Sequence, residues 1–597
     1  MPKKTDTHAE DVRPEDLGDA LQQKGLYDQA IACYEAALRD QPDDPVVRLN
    51  MGNAYLRRNH LDNAVAQYRR SIELKPDYAE AFHNLGSALQ LLGSVAEAVR
   101  CYQQALKLRP DYAEAHKNMA NALRTLGRPD AAEKATHKAL RQDPTYADAH
   151  INHGNALLAQ GRVGEAIARF RQTIDLVPNH AEAHSNMLLA MNYLPDLATK
   201  TLFDEHVAWA QEHTAALPVA RQYTNTCDPD RPLRIGYVSP DLREHPVTRF
   251  MESILAHHDQ SAVQHVCYAQ VTAEDEVSAR LRACGGQWRN IAGRSTREIA
   301  VQIVKDEIDI LVDLAGHTAN NKLMVMAHKP APIGVTYLGY PNTTGMARID
   351  YRLTDAVADP VSPKDAATPH VETLARLPHH LGAYTPAPDA PPVTKLPALP
   401  SGKITFGCTN HLAKINAQVI DLWAKLLERV PTARLLVYRD NLVGVTQQIL
   451  KVEMNQRNID LERVVLTSTL PMKKSRLQVY EYIDVALDPF PWNGHTTTCE
   501  SLWQGVPVVA LRGRTHASRL AASVLTHAGF EHFFADTSDD YVRIAADLVS
   551  DLDQLAETRA SLRERFAASP VCDAPGFTGA LEAEYRRMWD RWCKSQV

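Results

Sequence analysis

Two hydrophobic rhythms divide the chain. Through the first third, apolar positions recur every 34 residues. Ala stands at 30, 64, 98, 132 and 166, Pro at 42, 76, 110, 144 and 178, and a turn former at Gly25, Asn59, Gly93, Gly127 and Gly161. Each period reads as two amphipathic helices. The small Ala lets them approach closely, the Gly or Asn permits a left-handed turn, and the Pro closes one unit and opens the next. From Arg231 onward the rhythm becomes short apolar runs rich in β-branched residues, separated by helical stretches. "PLRIGYVSP", "HVCYAQV", "IDILVDLAG" and "IGVTYLGYP" form a first series. "KITFGCTN", "ARLLVYR", "RVVLTST", "DVALDPF" and "VPVVALRG" form a second. That alternation predicts parallel, doubly wound sheets.

A period of 34 with two helices per unit is the tetratricopeptide signature. Such units bury their apolar faces only by stacking, which predicts a right-handed superhelix with a concave groove. The fold class expected is α + α/β. Five repeats and a trailing helix occupy 12–195, a helical or loop linker 196–230, a Rossmann-like lobe 231–385, a Pro-rich linker 386–402, and a second Rossmann-like lobe with the C-terminal helix 403–597. One further column has the same period: Asn50, Asn84, Asn118, Asn152 and Asn186. A carboxamide both donates and accepts, so this ladder suits the backbone of an extended acceptor peptide. Bonding to a neighbouring helix is the alternative.

Composition narrows the function. A net charge of −7 over 597 residues gives no general affinity for nucleic acid. Nine Cys without CxxC spacing read as reduced thiols rather than a disulfide framework or zinc site. The polar start "MPKKTDTHAEDV" has no signal-peptide core, and no run reaches the ~18 apolar residues of a membrane span. A cytoplasmic protein is expected. Exposed apolar repeat faces are compatible with a homodimer. Neither a GxGxxG fingerprint nor a P-loop is present, which disfavours a dehydrogenase or ATPase.

Four constellations fall where strands end. In "NGHTTTCESLWQG" a Gly precedes His495, Thr496, Thr497 and Thr498, then a short helix. Helix N-termini hold phosphate, and Thr hydroxyls add donors. Thr497-x-x-Glu500 also fits a capping box, and Glu500 is an alternative partner for ribose hydroxyls. In "ITFGCTNHLAKIN", Lys414 lies near the start of the next helix, where an ammonium stabilises a departing diphosphate. Asn410 and His411 share that loop. In "GYVSPDLREHPVTRF", His245 precedes Pro246, a favoured first helical residue, and such a His is biased towards neutrality. In "DLAGHTANNKL" and "YLGYPNTTG", His317, Pro341, Asn342, Thr343 and Thr344 either line a cleft or form turns. "DPD" at 228–230 matches a metal motif of some glycosyltransferases but sits in a linker. It reads as loop, and no essential metal is expected.

Together, "GHTANNKL", "LGYPNTTG", "NHLAKI", "TTTCESL" and "ASPVC" resemble the tetratricopeptide-bearing protein O-glycosyltransferases, glycosyltransferase family 41, and most of all its SPINDLY-type branch. "NGHTT" resembles the O-GlcNAc transferase form instead. The resemblance implies a GT-B type catalytic region and inverting transfer of a sugar to Ser or Thr of proteins, with no cofactor beyond the nucleotide sugar. It implies that Lys414 and the His495–Thr497 run hold the donor diphosphate, Glu500 lies near the ribose, and His245 lies at the sugar and acceptor side. His411 stands where the family has Gln or Asn, and Arg476 where it often has a His beside the nucleobase. The SPINDLY likeness implies GDP-fucose; the His495 motif keeps UDP-GlcNAc open. A repeat scaffold with vestigial lobes is the non-enzyme alternative.

Overall fold

The computed structural model describes residues 13–219, 223–362, 368–470 and 475–596. The polar start at 1–12 lies outside them. Two compact units divide after Asn152.

The first unit is four helix pairs, from Pro14–Gln23 with Tyr27–Asp40 to Ala113–Thr125 with Pro129–Gln142. The turn formers Gly25, Asn59, Gly93 and Gly127 all have positive φ, and Ala30, Ala64, Ala98 and Ala132 are fully buried, as the period requires. A second complementarity was not evident from the period alone. Gly18, Gly52 and Gly86 lie against the rings of Tyr34, Tyr68 and Tyr102, where an added methyl would come within 2.7 Å of a ring carbon. In the fourth pair the ring position is Thr136 and the glycine position becomes Ala120, both buried. The methyl occupies volume that a ring fills elsewhere. Thr136→Tyr is therefore expected to overpack this pair by about 1–3 kcal/mol and lower the Tm, and adding Ala120→Gly to restore it. Paired thermal melts check this; equal Tm values for the single and double variants would refute it.

The boundary falls within the helix Ala147–Ala159; the second unit holds the rest of the fifth helix pair, the trailing helix Ala181–Met191, the helix Thr199–Thr214 and both α/β lobes. The first lobe contains β1 (Leu233–Ser239), β2 (Val263–Ala269), β3 (Gln287–Asn290), β4 (Ile310–Asp313), β5 (Ile333–Thr336), β6 (Tyr351–Asp355) and β7 (Thr373–Leu377). They form one parallel sheet in the order 3-2-1-4-5-6-7. The second lobe contains β8 (Thr405–Cys408), β9 (Arg434–Tyr438), β10 (Val464–Thr467), β11 (Val485–Leu487), β12 (Val508–Leu511) and β13 (Phe534–Ala535). Their order is 10-9-8-11-12-13, again parallel. Strands β3, β6, β7 and β13 were not anticipated. They lie towards the sheet edges, are short, and several carry polar residues, so no apolar run marks them.

One boundary is corrected. The C-terminal helix, Ala574–Ser595, belongs to the first lobe, not the second. Its Leu581, Tyr585, Met588 and Trp589 pack with Leu233, Ile235 and Val312 in one buried core. The Pro-rich segment is fastened to the second lobe. The buried Arg559 donates to the Thr394 carbonyl at 2.8 Å, and Arg563 to that of Pro391 at 2.7 Å. Among the described residues no helix is long and apolar enough to cross a membrane.

Candidate active site

Each sheet reverses its strand order beside its first strand, between β1 and β4 and between β8 and β11. Crevices that bind ligands open beyond the carboxyl ends of strands at such points. In the second lobe, β8 leads into Asn410, His411 and Lys414, while β11 leads into Asp488, Gly494 and His495. Topology alone thus brings two of the sequence constellations together.

Asp488 is their hub. It is 2% exposed and accepts from the Gly494 N–H at 2.8 Å and from Asn410 Nδ2 at 3.3 Å. Asn410 Oδ1 in turn accepts from Thr497 Oγ1 at 3.1 Å. A Cβ on Gly494 would stand 2.3 Å from Thr497 Oγ1 and 2.6 Å from Asp488 Oδ1, so only glycine fits. Lys414 donates to the Asn493 carbonyl at 2.8 Å, and its Nζ lies 5.2 Å from the centre of the Trp492 ring. Lys414 and the 494–498 loop therefore converge. Lys414 sits in a 3₁₀ turn, Leu412–Lys414, and the expected helix starts only at Ala417, capped by Asn416. Burial pulls the ammonium down to about 8 against the opposing pull of Asp488, and burial pushes the Asp488 carboxyl up to about 7. The two titrate as a pair.

The helix Thr496–Trp503 begins with Cys499 N–H donating to the His495 carbonyl, so the N–H groups of Thr496, Thr497 and Thr498 have no intrahelical partner. Its threonines divide. Thr496 is half-buried and Thr497 bonds Asn410. Thr498, expected to face an anion, is 1% exposed and turns its hydroxyl to the Gly494 carbonyl. The capping box is not formed either. Glu500, buried within the helix, pairs with both Nη atoms of Arg476, one at 3.1 Å. Glu500 and Arg476, which the resemblance placed at ribose and base, thus form one neutralised unit. Beside it lies a cavity of about 670 Å³ lined by Arg249, Glu244 and Asp275 of the first lobe and Ser475 and Arg476 of the second.

Two site residues escaped sequence reasoning. Arg439, at the carboxyl end of β9, donates to the Thr409 carbonyl at 3.3 Å, and its buried Nε has no partner. It adds positive charge that opposes protonation of both His411 and Lys414. The signal was a lone cation ending the apolar strand "LLVY". Tyr193 follows the trailing helix. Its ring stacks 4.7 Å from Trp492 and 6.0 Å from His411. No local motif marks it. His411 caps its own turn through Ala413 N, and burial drives its imidazole down to about 3.

His495 is not a free phosphate donor here. Its ring lies parallel to Phe250, 4.4 Å away, and its Nε2 meets His380 Nε2 at 3.1 Å. His380 Nδ1 lies 2.5 Å from the Gly382 carbonyl, which assigns the proton to Nδ1. His495 Nε2 must then donate, and burial holds it neutral. His495 joins the second lobe to Phe250 of the first. The half-buried His245 lies in the loop after β1; the helix starts later, at Thr248. Its Nδ1 accepts from Val247 N at 3.4 Å, its Nε2 lies 3.8 Å from Asp241, and burial lowers its pKa.

The fourth constellation is structural. Thr343 is fully buried and donates to Glu372 at 2.6 Å; Thr344 N donates to the same carboxylate at 2.7 Å. Pro341 is buried with that loop, and Asn342 bonds Asn192 at 2.9 Å. His317 is fully buried between Ser185 Oγ and the Thr344 carbonyl, both at 3.0 Å. None of these lines a cleft, because the Gly-containing turns fold inward onto the trailing helix and Glu372. "DPD" is a turn in which Asp230 N donates to Asp228, and Trp589 bonds the Asp228 carbonyl.

In the Asn column, the amides bond neighbouring helices. Asn50 donates to Asp19 at 2.9 Å, Asn84 to Asn53 at 2.8 Å, and Asn118 lies 2.9 Å from His83 Nε2. Asn152 makes a long contact, 3.5 Å, to the Lys117 carbonyl. These four remain half-buried, whereas Asn186 is buried at 4% and does not fit the ladder.

Comparison with known proteins bears on the family and the fold. Residues 180–383 and 393–581 match the model of glycosyl transferase family 41, and 18–127 and 123–191 match tetratricopeptide repeat models. The Arabidopsis thaliana protein named as a probable UDP-N-acetylglucosamine–peptide N-acetylglucosaminyltransferase SPINDLY is 43% identical over 417 residues, 69% of this chain and 45% of that one. The Arabidopsis protein SEC, named for the same activity, is 31% identical over 395 residues, 64% of this chain and 39% of that one. The chain thus spans about half the length, or less, of these curated relatives. A solved mutant O-GlcNAc transferase of Thermobaculum terrenum superposes with a TM-score of 0.82 at 35% identity, covering 87% of this chain and 98% of that one. With the family match extending over both lobes, whose strand-end crevice holds Lys414 against the 494–498 loop, the chain belongs to glycosyl transferase family 41.

Proposed function

We propose that this chain transfers a sugar, with inversion, from a nucleoside-diphosphate donor to Ser or Thr of protein acceptors. The observation that carries the proposal is the convergence of Lys414, the glycine-tight loop at Gly494 and the free N-terminus of the helix Thr496–Trp503 at one strand-order reversal. Charge developing on a departing diphosphate meets an ammonium and fixed N–H dipoles there, with little reorganisation. Thr496 and Thr497 flank that N-terminus. His245, kept neutral by burial, is a candidate to accept the acceptor hydroxyl's proton; an oxygen of the donor phosphate is the other. The half-exposed amides Asn50, Asn84, Asn118 and Asn152 support recognition of acceptor backbone by the repeats.

GDP-fucose is the donor proposed. Its support is the higher identity to the SPINDLY-named protein than to SEC, 43% against 31%. UDP-GlcNAc is the second reading, favoured by the names of both relatives and by His495 in its motif. Each radiolabelled donor, offered with and without Lys414→Ala, separates the two. Label entering protein only from GDP-fucose, as the mass increment of a deoxyhexose, is the expected result. An N-acetylhexosamine increment would select the second reading. Neither donor turned over, with calorimetric silence towards GDP and UDP, would leave a repeat scaffold.

A further inference from the structure

Away from the crevice, the trailing helix Ala181–Met191 packs beside the helix Thr199–Thr214, and their contact holds a second polar cluster. His184, 4% exposed, places Nδ1 at 3.3 Å from His213 Nε2 and 3.9 Å from Glu212 Oε2. One ligand atom from each of the three lies within 4.8 Å of the other two. Behind His184, the Glu205 carboxylate stands 3.8 Å from Nε2, and Arg171 is 3.9 Å from Glu205. Nε2 is buried and makes no hydrogen bond, so Glu205 acts on it by charge alone.

We propose that His184, His213 and Glu212 form a zinc site that fastens the end of the repeats to the following helix. Donors about 2.0–2.2 Å from one tetrahedral ion stand roughly 3.3–3.5 Å apart, close to the His184–His213 separation. The carboxylate of Glu205 favours the His184 tautomer protonated at Nε2, which frees the Nδ1 lone pair towards His213 and Glu212. Ligating histidines are commonly oriented by such a carboxylate behind the second nitrogen. His213 needs only to carry its proton on Nδ1, so a neutral imidazole binds without net loss of a proton. Glu212 is about one-third exposed, which leaves water access to the fourth position. A hydrogen-bonded pair of histidines explains the 3.3 Å contact but not the convergence of Glu212 on one nitrogen and Glu205 on the other.

The test is titration of the EDTA-dialysed full chain with Zn²⁺ alone, read by calorimetry, by metal content after gel filtration and by Tm. One equivalent is expected, with a rise in Tm. Co²⁺ in its place is expected to give visible d–d bands without a thiolate charge-transfer band. Glu212→Gln, a surface change that leaves the fold intact, and His213→Gln are each expected to weaken binding at least 10-fold, and Glu205→Gln by a similar factor without loss of stoichiometry. No stoichiometric zinc in the wild-type chain, or unchanged affinity in a folded Glu212→Gln and His213→Gln, would overturn the proposal. A thiolate band would do the same, since it would assign the ion to cysteine.

Discussion

Replacing Lys414 by Ala is expected to cut sugar transfer by about 10²–10³-fold, the scale on which removal of one charge-stabilising donor lowers kcat. The ammonium is held 2.8 Å from the carbonyl of Asn493, next to the loop residue that admits no side chain. In the proposed transfer it acts on charge that appears as the sugar leaves, so kcat should fall much more than the donor KM rises. Steady-state kinetics separate these terms. An unchanged kcat with a raised KM would mean that Lys414 only binds donor, and an unchanged rate would remove the proposed centre. Fold loss is not the expected cause. Lys414 is half-buried, its neighbours Leu412 and Ala413 carry the packing of that turn, and circular dichroism checks it.

Asp488→Asn is expected to be the next most damaging change, with kcat lowered by up to about 10²-fold and a displaced pH profile. Asn at 488 keeps an acceptor for the Gly494 N–H but loses the negative charge that supports the Lys414 ammonium. The sign follows directly. In the proposed role Lys414 acts as the cation, so wild-type activity is expected to decline as pH rises through its pKa, which burial has already brought down to about 8. Asp488 is the first among the groups that raise that pKa. Without it the alkaline limb must move to lower pH. A rate–pH profile that merely scales down, with both limbs in place, would show that Asp488 holds the loop but not the charge. A limb moving to higher pH would contradict the pairing altogether.

Much of this was legible because the physics is local and repeated. A left-handed turn needs Gly or Asn, close helices need Ala, and both recur at fixed spacing until no other fold accommodates them. The strand-end loops were legible for a similar reason: Gly494 and Lys414 each follow an apolar strand directly, and a parallel sheet puts those ends side by side. Direction within a loop was not legible. Thr496, Thr497 and Thr498 look equivalent in sequence, yet one turn of helix sends the third inward to Gly494. Thr343 looked like a cleft residue until Glu372, 29 positions away, captured it. Arg476 and Glu500 were placed at separate parts of a nucleotide, but neutralising a buried carboxylate is more urgent than remaining available to a ligand. Contacts of that range, like the helix at 574–595 crossing to the first lobe, depend on the assembled chain.

Tyr193 carries a consequence for engineering. A residue just beyond the last repeat helix packs its ring on Trp492, the ring that Lys414 approaches, and beside His411. Asn441 also bonds the carbonyl of Ala159 in the fifth helix pair at 2.6 Å. Chimaeras that exchange repeat arrays should accordingly be spliced upstream of the fifth pair. A join made at the apparent linker, after residue 195, would set a foreign array against Trp492 and His411.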